Sequence, residues 1–203
     1  MAEQRTVRRG PGYGWLVLGL VVSALVACGV VGVRRLLERG DREAIVGVAV
    51  QTFPAIDEST LDPTQATVVA VLEREFGNPG DGPKYAEGNN EPWCADFVSW
   101  VMRESVVPLA NPNSGSWRIP GVNTLQEYYQ STGRFTPIAA GYQPRTGDVL
   151  LYGPASPFSQ HTNIVLTAAD GVVTTMGGNE FGEIRMHRFD LAEVPDIVGF
   201  GML

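Results

Sequence analysis

Cys94 stands at the start of an apolar segment, where a cysteine can serve as a nucleophile. Pro92 suits the first position of a helix, because its missing N–H needs no partner there, and Asn90 or Glu91 is then the expected cap. Apolar residues follow the cysteine at helical spacing, namely Phe97, Val98 and Val101. The unpaired N–H groups and the dipole of a helix N-terminus stabilise a thiolate, which is the reactive form of cysteine. The alternative is a small buried apolar residue, which is what most free cysteines are.

A histidine and an asparagine at the ends of two predicted strands supply partners for this cysteine. His161 begins one strand, and Asn179 follows the next strand, over 171–176. If the two strands pair through a turn at 168–171, His161 and Asn179 lie at the same end of the sheet. Asn179 would then accept the N–H of His161 and leave the other ring nitrogen free for the Cys94 proton. Cysteine, histidine and a polar orienting residue form the arrangement of a cysteine hydrolase.

Two other polar residues compete for these roles. Glu180 is the alternative third member, since a carboxylate holds an imidazolium more strongly than an amide does. Alternation along the strand, however, turns the Glu180 side chain away from that of Asn179. His187 is the other histidine of the chain, and it alternates with Arg185 in a predicted strand, which indicates a solvated strand face. We therefore assign the general base to His161.

Hydrogen-bond donors for a negatively charged intermediate are expected near the cysteine. The backbone N–H of Cys94, together with the side chain of Asn89 or Asn90, is a candidate oxyanion hole. This chemistry needs no cofactor, and two histidines with two widely spaced cysteines do not predict a zinc site. Cys28 lies in an N-terminal apolar run and is not expected to pair with Cys94, so no disulfide framework is predicted.

Together these segments resemble the CHAP domain, the cysteine, histidine-dependent amidohydrolase/peptidase family. The resemblance covers residues 62–203 and is carried by four features: the Trp-Cys-Ala-x-Phe-Val-Ser-Trp run at 93–100, the Pro-x-x-Gly-Asp strand entry at 144–148, the strand led by His161, and the Gly-Asn ending at 178–179. It implies a papain-like α+β fold, with N-terminal helices packed on a small antiparallel sheet. It also implies hydrolysis of amide bonds in bacterial peptidoglycan by Cys94, His161 and Asn179.

The sequence departs from the family pattern at two positions. Many CHAP domains end the third strand in Glu-x-Asn, whereas this chain has Gly177 in place of that glutamate. Asn163 stands where a glycine is more usual. The run Trp93-Cys94-Ala95 also differs from the Asp-Cys-Ser that the related NlpC-type peptidases favour, which supports the CHAP resemblance.

The composition suits one globular domain with an N-terminal extension. The 203 residues are 44% hydrophobic and 18% charged, and the formal net charge is −7. Residues 1–43 carry a net charge of +3, so the remainder carries −10. Such an acidic domain has no basic surface to neutralise phosphates, which argues against nucleic acid as a partner.

An uncharged N-terminal run over 15–33 predicts a transmembrane helix, because as a helix it spans roughly 28 Å. Arginines flank it on both sides, so the positive-inside rule does not decide its orientation. A cleavable signal peptide is disfavoured by the length of the run and by the lack of a small-x-small site. Residues 25–28 resemble the lipobox before a lipidated cysteine, but apolar sequence continues past Cys28. We favour an uncleaved signal anchor in the cell membrane, with residues 1–14 cytoplasmic and the catalytic domain outside; the alternative is a lipoprotein anchored at Cys28.

Residues 34–61 are predicted to form a stalk with a short strand over 45–50, and the domain is predicted to begin at Asp62. The segment 62–65 has the signature of a helix start, with Asp as cap, Pro in the first position and Gln three residues after the cap. Further expected elements are the end of this helix at Gly77, a cleft wall at 78–90, a helix over 122–131 and strands over 183–189 and 196–203.

The sequence thus predicts a membrane-anchored peptidoglycan hydrolase that cleaves an amide bond of the stem peptide, either as an amidase or as an endopeptidase. One alternative is a catalytically weak or inactive module that binds cell-wall peptides or scaffolds a wall complex. Another is a cysteine hydrolase that acts on a protein or a small amide. The intact set of Cys94, His161 and Asn179 favours an enzyme, since a binding module has no need of all three.

Overall fold

The computed structural model describes residues 47–203 of the chain. The predicted cytoplasmic tail, the transmembrane run over 15–33 and the first part of the stalk lie outside the described residues. Within 47–203, no helix combines the length and the hydropathy needed to cross a membrane. The described residues join helices to an antiparallel sheet, which confirms the α+β class.

Four α-helices lie in the described part of the chain. They are α1 (Pro63–Gly77), α2 (Gly82–Tyr85), α3 (Cys94–Glu104) and α4 (Val122–Ser131). The predicted start of α1 is confirmed, because the Asp62 carboxylate accepts from the N–H groups of Thr64 and Gln65. The Gln65 side chain accepts in turn from the N–H of Asp62, which completes a capping box. The bounds of α4 are those predicted.

The start of α3 differs from the prediction. The helix begins at Cys94 itself, and Trp93 precedes it with φ −116° and ψ 21° and no side-chain cap. Asn90 and Glu91 therefore do not cap this helix. Packing decides its start instead, since the Trp93 ring stacks on the Tyr85 ring with centroids 5.2 Å apart.

Seven strands of the described segment 47–203 form one antiparallel sheet. They are β1 (Val48–Ala49), β2 (Phe135–Pro137), β3 (Val149–Tyr152), β4 (His161–Ala169), β5 (Val172–Glu180), β6 (Glu183–Asp190) and β7 (Ile197–Gly201), in the spatial order β1-β6-β5-β4-β3-β7-β2. The predicted hairpin between β4 and β5 is confirmed, with Ala169 opposite Val172. The last two predicted strands are confirmed as β6 and β7.

The sheet buries both of its faces. One face packs against the helices and contributes Ile164, Met176 and Met186 to a core with Leu72, Phe97 and Val98. The other face contributes Leu150, Val165, Val173, Phe189 and Phe200 to a second core, which Tyr142 and Phe158 cover. α3 packs on β4 and β5, so the strands that carry His161 and Asn179 lie against the helix that carries Cys94.

The folded domain begins before Asp62. β1 pairs with β6 as an edge strand of the sheet. Val50, Phe53 and Ile56 are partly buried and pack against the helical core. Part of the predicted stalk is therefore built into the domain.

Candidate active site

Cys94 occupies the first position of α3, where aromatic residues hold the helix start in place. The residue is buried, with 6% of its surface exposed. The first hydrogen bond of α3 runs from the N–H of Phe97 to the carbonyl of Trp93, so the N–H of Cys94 precedes the helical ladder. A Cβ at Gly178 of β5 would stand 2.4 Å from the Trp93 ring, so this glycine lets the helix start approach the strand. The predicted nucleophile therefore lies where unpaired N–H groups favour a negative charge.

An ion-pair cluster ties together the chain on both sides of Cys94. Asp96 is fully buried in α3, and its Oδ1 accepts from Nε of Arg118 at 2.7 Å. Nη2 of Arg118 also pairs with Glu91, in the loop before the helix. Burial raises the pKa of Asp96, and the hydrogen bond from Arg118 opposes that shift. Arg118 thus connects the loop before α3 to the first turn of that helix.

His161 begins β4 and lies beside the thiol of Cys94. Its ring is buried and makes side-chain hydrogen bonds with Cys94 and Glu180. Nε2 of His161 lies 3.3 Å from Oε1 of Glu180, which leaves Nδ1 for the thiol. Burial lowers the pKa of His161, but the hydrogen bonds with Cys94 and Glu180 outweigh it and raise this pKa from 6.5 to about 9. The site therefore favours an imidazolium, which is the partner that a thiolate needs.

The Glu180 carboxylate is the centre of a buried hydrogen-bond network. Oε1, which faces His161, also accepts from Nδ2 of Asn163 at 3.2 Å, and Oε2 lies 2.7 Å from Nδ1 of His187. The hydroxyl of Tyr152 lies 3.1 Å from Nδ2 of Asn163 and extends the network. Burial alone would raise the pKa of Glu180, but the hydrogen bonds with His161 and His187 outweigh it and lower this pKa from 4.5 to about 2. Glu180 is thus ionised at neutral pH.

A bulge in β5 explains why Glu180, rather than Asn179, meets His161. The pairing of β5 with β6 shifts register between Gly177 and Glu180, and Asn179 has a φ of 59°. Such a bulge re-aims the side chains that follow it. A Cβ at Gly177 would stand 2.1 Å from Oε1 of Glu180, so the glutamate fills the space that a side chain at 177 would need. The structure therefore brings the Glu180 carboxylate, and not the Asn179 amide, against the His161 ring.

Asn179 lies at the same end of the sheet as His161, in the wall of a pocket. Together with Phe158, His161 and Phe181, it lines a cavity of about 220 Å³. The partners of the His161 ring are Cys94 and Glu180, and in the described part of the chain Asn179 is not among them. The structure thus differs from the expectation that Asn179 accepts the His161 N–H, and any catalytic role of Asn179 stays a prediction.

His187 is not on a solvated strand face, and that prediction is wrong. The residue is fully buried, and its Nδ1 contacts Glu180. Two contacts explain the burial. β1 lies along β6 with Ala49 opposite His187, and the Phe158 ring packs on the imidazole in a T-shaped arrangement with centroids 5.5 Å apart.

The predicted oxyanion donors fall into two groups. The N–H of Cys94 stands at the thiol, outside the helical hydrogen-bond ladder. The side chains of Asn89 and Asn90 belong to exposed residues of the loop before α3, and Nδ2 of Asn89 donates to the carbonyl of Ala86 at 2.8 Å. The N–H of Cys94 can therefore donate to an oxyanion without rearrangement, whereas the Asn89 side chain would first have to break its hydrogen bond with the carbonyl of Ala86.

Four residues of the site are not identified from the sequence: Tyr152, Asn163, Asp96 and Arg118. The unusual Asn163 in place of a glycine is a signal for one of them. A carboxylate inside the apolar start of α3 is a signal for Asp96, because a buried charge needs a partner. Arg118 lies 22 residues further along the chain, and no local pattern links it to Asp96.

Residues 86–179 match the family model described as CHAP domain. The matched segment contains Cys94 and His161 and ends at Asn179, so Glu180 and His187 follow it directly in β5 and β6. No curated protein matches the chain.

Proposed function

We propose that this chain, whose residues 86–179 match the CHAP domain, is a peptidoglycan hydrolase that cleaves an amide bond of the stem peptide with Cys94 as nucleophile and His161 as base. The observation that supports this most is the continuous buried contact from Cys94 through His161 to Glu180. A module that only binds wall peptides would have no use for a charged histidine between a thiol and a carboxylate. We assign the orienting place to Glu180, since it is the residue in contact with the ring.

The first step of the proposed reaction is acylation of Cys94. The thiolate attacks the carbonyl carbon of the amide, so that a C–S bond forms and the carbonyl oxygen takes up the negative charge. The backbone N–H of Cys94 is a donor for that oxygen. The C–N bond then breaks while Nδ1 of His161 gives its proton to the leaving amine, and a thioester remains on Cys94.

Water completes the second step. Neutral His161 accepts a proton from water as the water oxygen attacks the thioester carbonyl. The C–S bond breaks, Cys94 leaves as a thiolate beside the protonated His161, and the peptide is released as a carboxylic acid that gives its proton to solvent. Glu180 accepts from Nε2 of His161 throughout, so Nδ1 keeps facing the thiol and the imidazolium is stabilised between steps.

The pocket beside His161 is the proposed binding place for the part of the stem peptide next to the reacting bond. Phe158 and Phe181 provide apolar surface there, and the amide of Asn179 offers a donor and an acceptor to a peptide backbone. In this proposal Asn179 binds substrate and Glu180 orients the base.

We also propose that the run over 15–33 anchors the protein in the cell membrane with the hydrolase domain outside. The support is the uncharged length of the run and the peptidoglycan substrate, which lies outside the membrane. Lipidation at Cys28 is the alternative anchor.

Digestion of purified peptidoglycan by the full chain, followed by mass spectrometry of the soluble fragments, tests this function. Fragments with a newly formed carboxylate on one side of the cleaved amide and a newly formed amine on the other are expected, and their masses identify an amidase or an endopeptidase. Protein that sediments with intact peptidoglycan but releases no fragments would instead support a binding module. Cleavage of small amides or proteins without cleavage of peptidoglycan would move the same chemistry to another substrate.

A further inference from the structure

Two histidines share the Glu180 carboxylate, and the proposed reaction uses only one of them. Oε1 faces His161 at 3.3 Å, whereas Oε2 lies 2.7 Å from Nδ1 of His187 on β6. His187 is fully buried and lies beyond the segment that matches the family model. It therefore has a short contact with the site and no assigned part in the chemistry.

We propose that His187 is a positioning residue, whose Nδ1–H holds Oε2 of Glu180 so that Oε1 stays directed at Nε2 of His161. This inference rests on the proposed function, in which Cys94 and His161 carry out the reaction. It adds a residue on a third strand to the groups that orient the base.

The hydrogen-bond chemistry of this contact determines the tautomer of His187. An ionised carboxylate only accepts hydrogen bonds, so the nitrogen 2.7 Å away must carry the proton. Nε2 of His187 is buried without a hydrogen-bond partner among the described residues. The neutral Nδ1–H tautomer leaves only a lone pair unpaired there, whereas a doubly protonated ring would bury an unpaired N–H.

Glu180 needs such a support because of where it lies in the chain. It ends β5 directly after the bulge, and the residues on either side of it, Asn179 and Phe181, both have positive φ. Oε1 is shared between His161 and Asn163, while Oε2 contacts His187. Loss of His187 would therefore free one oxygen and allow the carboxylate to rotate away from His161.

Phe158 links the two histidines sterically. Its ring stacks on His161 with centroids 4.9 Å apart and an interplanar angle of 23°, and it also packs on His187. The other titratable or charged groups near the pair are Tyr152 on β3, reached through Asn163, and Arg185 and Arg188, which flank His187 along β6. Nearest to the carboxylate are thus the two histidines and the Asn163 amide.

A matched pair of variants in the full chain tests the proposal. His187→Leu removes the donor and keeps an apolar side chain of similar bulk. His187→Asn keeps a donor, because Nδ2 of asparagine occupies the position that Nδ1 holds in histidine. The readout is the rate of Cys94 alkylation by iodoacetamide as a function of pH, on proteins whose folding is checked by circular dichroism and thermal unfolding. Alkylation needs no peptidoglycan, so it remains informative if the proposed substrate is wrong.

The proposal predicts that the acid limb of the alkylation profile moves to higher pH in His187→Leu, because a less well held carboxylate stabilises the imidazolium less. The turnover of peptidoglycan should fall about 10- to 100-fold, in the range seen when partners that orient a functional histidine are removed. His187→Asn should stay close to the wild type in both measurements.

Two results would overturn the proposal. One is an unshifted profile in folded His187→Leu, or equal losses in the leucine and asparagine variants, which would mean that His187 only fills space. The other is a shift of the acid limb to lower pH in His187→Leu, which would mean that His187 weakens the carboxylate rather than positioning it. If His187→Leu does not fold, a wild-type profile in His187→Asn supports the proposal and a shifted one contradicts it.

Discussion

Glu180 and Asn179 are adjacent residues with different expected effects on the pH dependence of hydrolysis. Glu180 raises the pKa of His161, so Glu180→Gln should lower that pKa and move the alkaline limb of the pH–rate profile to lower pH. Asn179 is uncharged, so Asn179→Ala should lower turnover and leave both limbs in place. Hydrolysis rates of the two variants across pH provide the comparison.

The direction in which the alkaline limb moves follows from the effect of Glu180 on the pKa of His161. His161 holds its proton below a pKa of about 9 when the carboxylate is present, and loses it earlier without that partner. One combination of results would return the orienting role to Asn179. In it, Glu180→Gln hydrolyses slowly with an unshifted pH–rate profile, while Asn179→Ala has a displaced alkaline limb.

Gly177 gives a second prediction at this scale. A methyl group there would stand 2.1 Å from Oε1 of Glu180, so Gly177→Ala should displace the carboxylate from His161. Misplacement of this kind costs up to about 100-fold in rate. Gly77, at the end of α1, is the matched control, because a Cβ there meets nothing within 4 Å. Equal turnover of both alanine variants, measured on peptidoglycan, would show that the Glu180 position is unimportant.

The sequence locates the proposed nucleophile and base better than it locates the carboxylate that contacts the histidine. Cys94 and His161 are recognisable because each begins a regular element, and a residue at the start of an element has a defined place. Glu180 is named from the sequence only as the alternative third member, because the bulge that directs its side chain to His161 has no reliable signature in a single sequence. His187 has the alternation of a solvated strand, and only the pairing of β1 and the packing of Phe158 bury it.

At the scale of elements, the start of α3 depends on Arg118. Its guanidinium pairs with the fully buried Asp96 of the helix and with Glu91 of the preceding loop. Arg118→Met should therefore destabilise the fold by about 3 kcal/mol, since it leaves a buried carboxylate without a partner. Chemical denaturation of the full chain measures this loss.

Arg74→Met is the control for that measurement. Arg74 is 56% exposed on α1 and its pair with Glu75 spans 3.5 Å, so its loss should cost less than about 1 kcal/mol. If the two variants lose the same stability, the Arg118 pair does not hold the helix start.

Helices with strong local signals are predicted with correct bounds, and the β4–β5 hairpin is predicted although β5 continues past residue 176 to Glu180. The capping box of α1, the bounds of α4 and the β4–β5 hairpin all follow from residues close together in the chain. The start of α3 does not, because the contact of Trp93 with Tyr85 outweighs the preference of Pro92 for a first helical position. The short strand predicted over 45–50 forms as β1, but its pairing has no local signal, since its partner β6 lies more than a hundred residues away.

At the scale of the whole molecule, the N-terminal run is expected to decide where the proposed hydrolase acts. We expect the mature protein to keep its N-terminus and to remain in the membrane fraction, because the apolar sequence continues past Cys28 to Val33. Intact mass spectrometry of the protein purified from membranes checks this. A chain that begins at a diacylated Cys28 would replace the transmembrane anchor with a lipid anchor and leave the proposed hydrolase function untouched.

The most direct test of the central claim is the rate at which Cys94→Ser releases fragments from peptidoglycan, compared with the wild-type chain under identical conditions. A serine hydroxyl is far less readily ionised than a thiol, so His161 cannot turn it into an equivalent nucleophile. The expected result is a folded protein, by circular dichroism and thermal unfolding, whose release rate falls at least about 1,000-fold. A folded Cys94→Ser chain that releases fragments at the wild-type rate would contradict cysteine catalysis at this site.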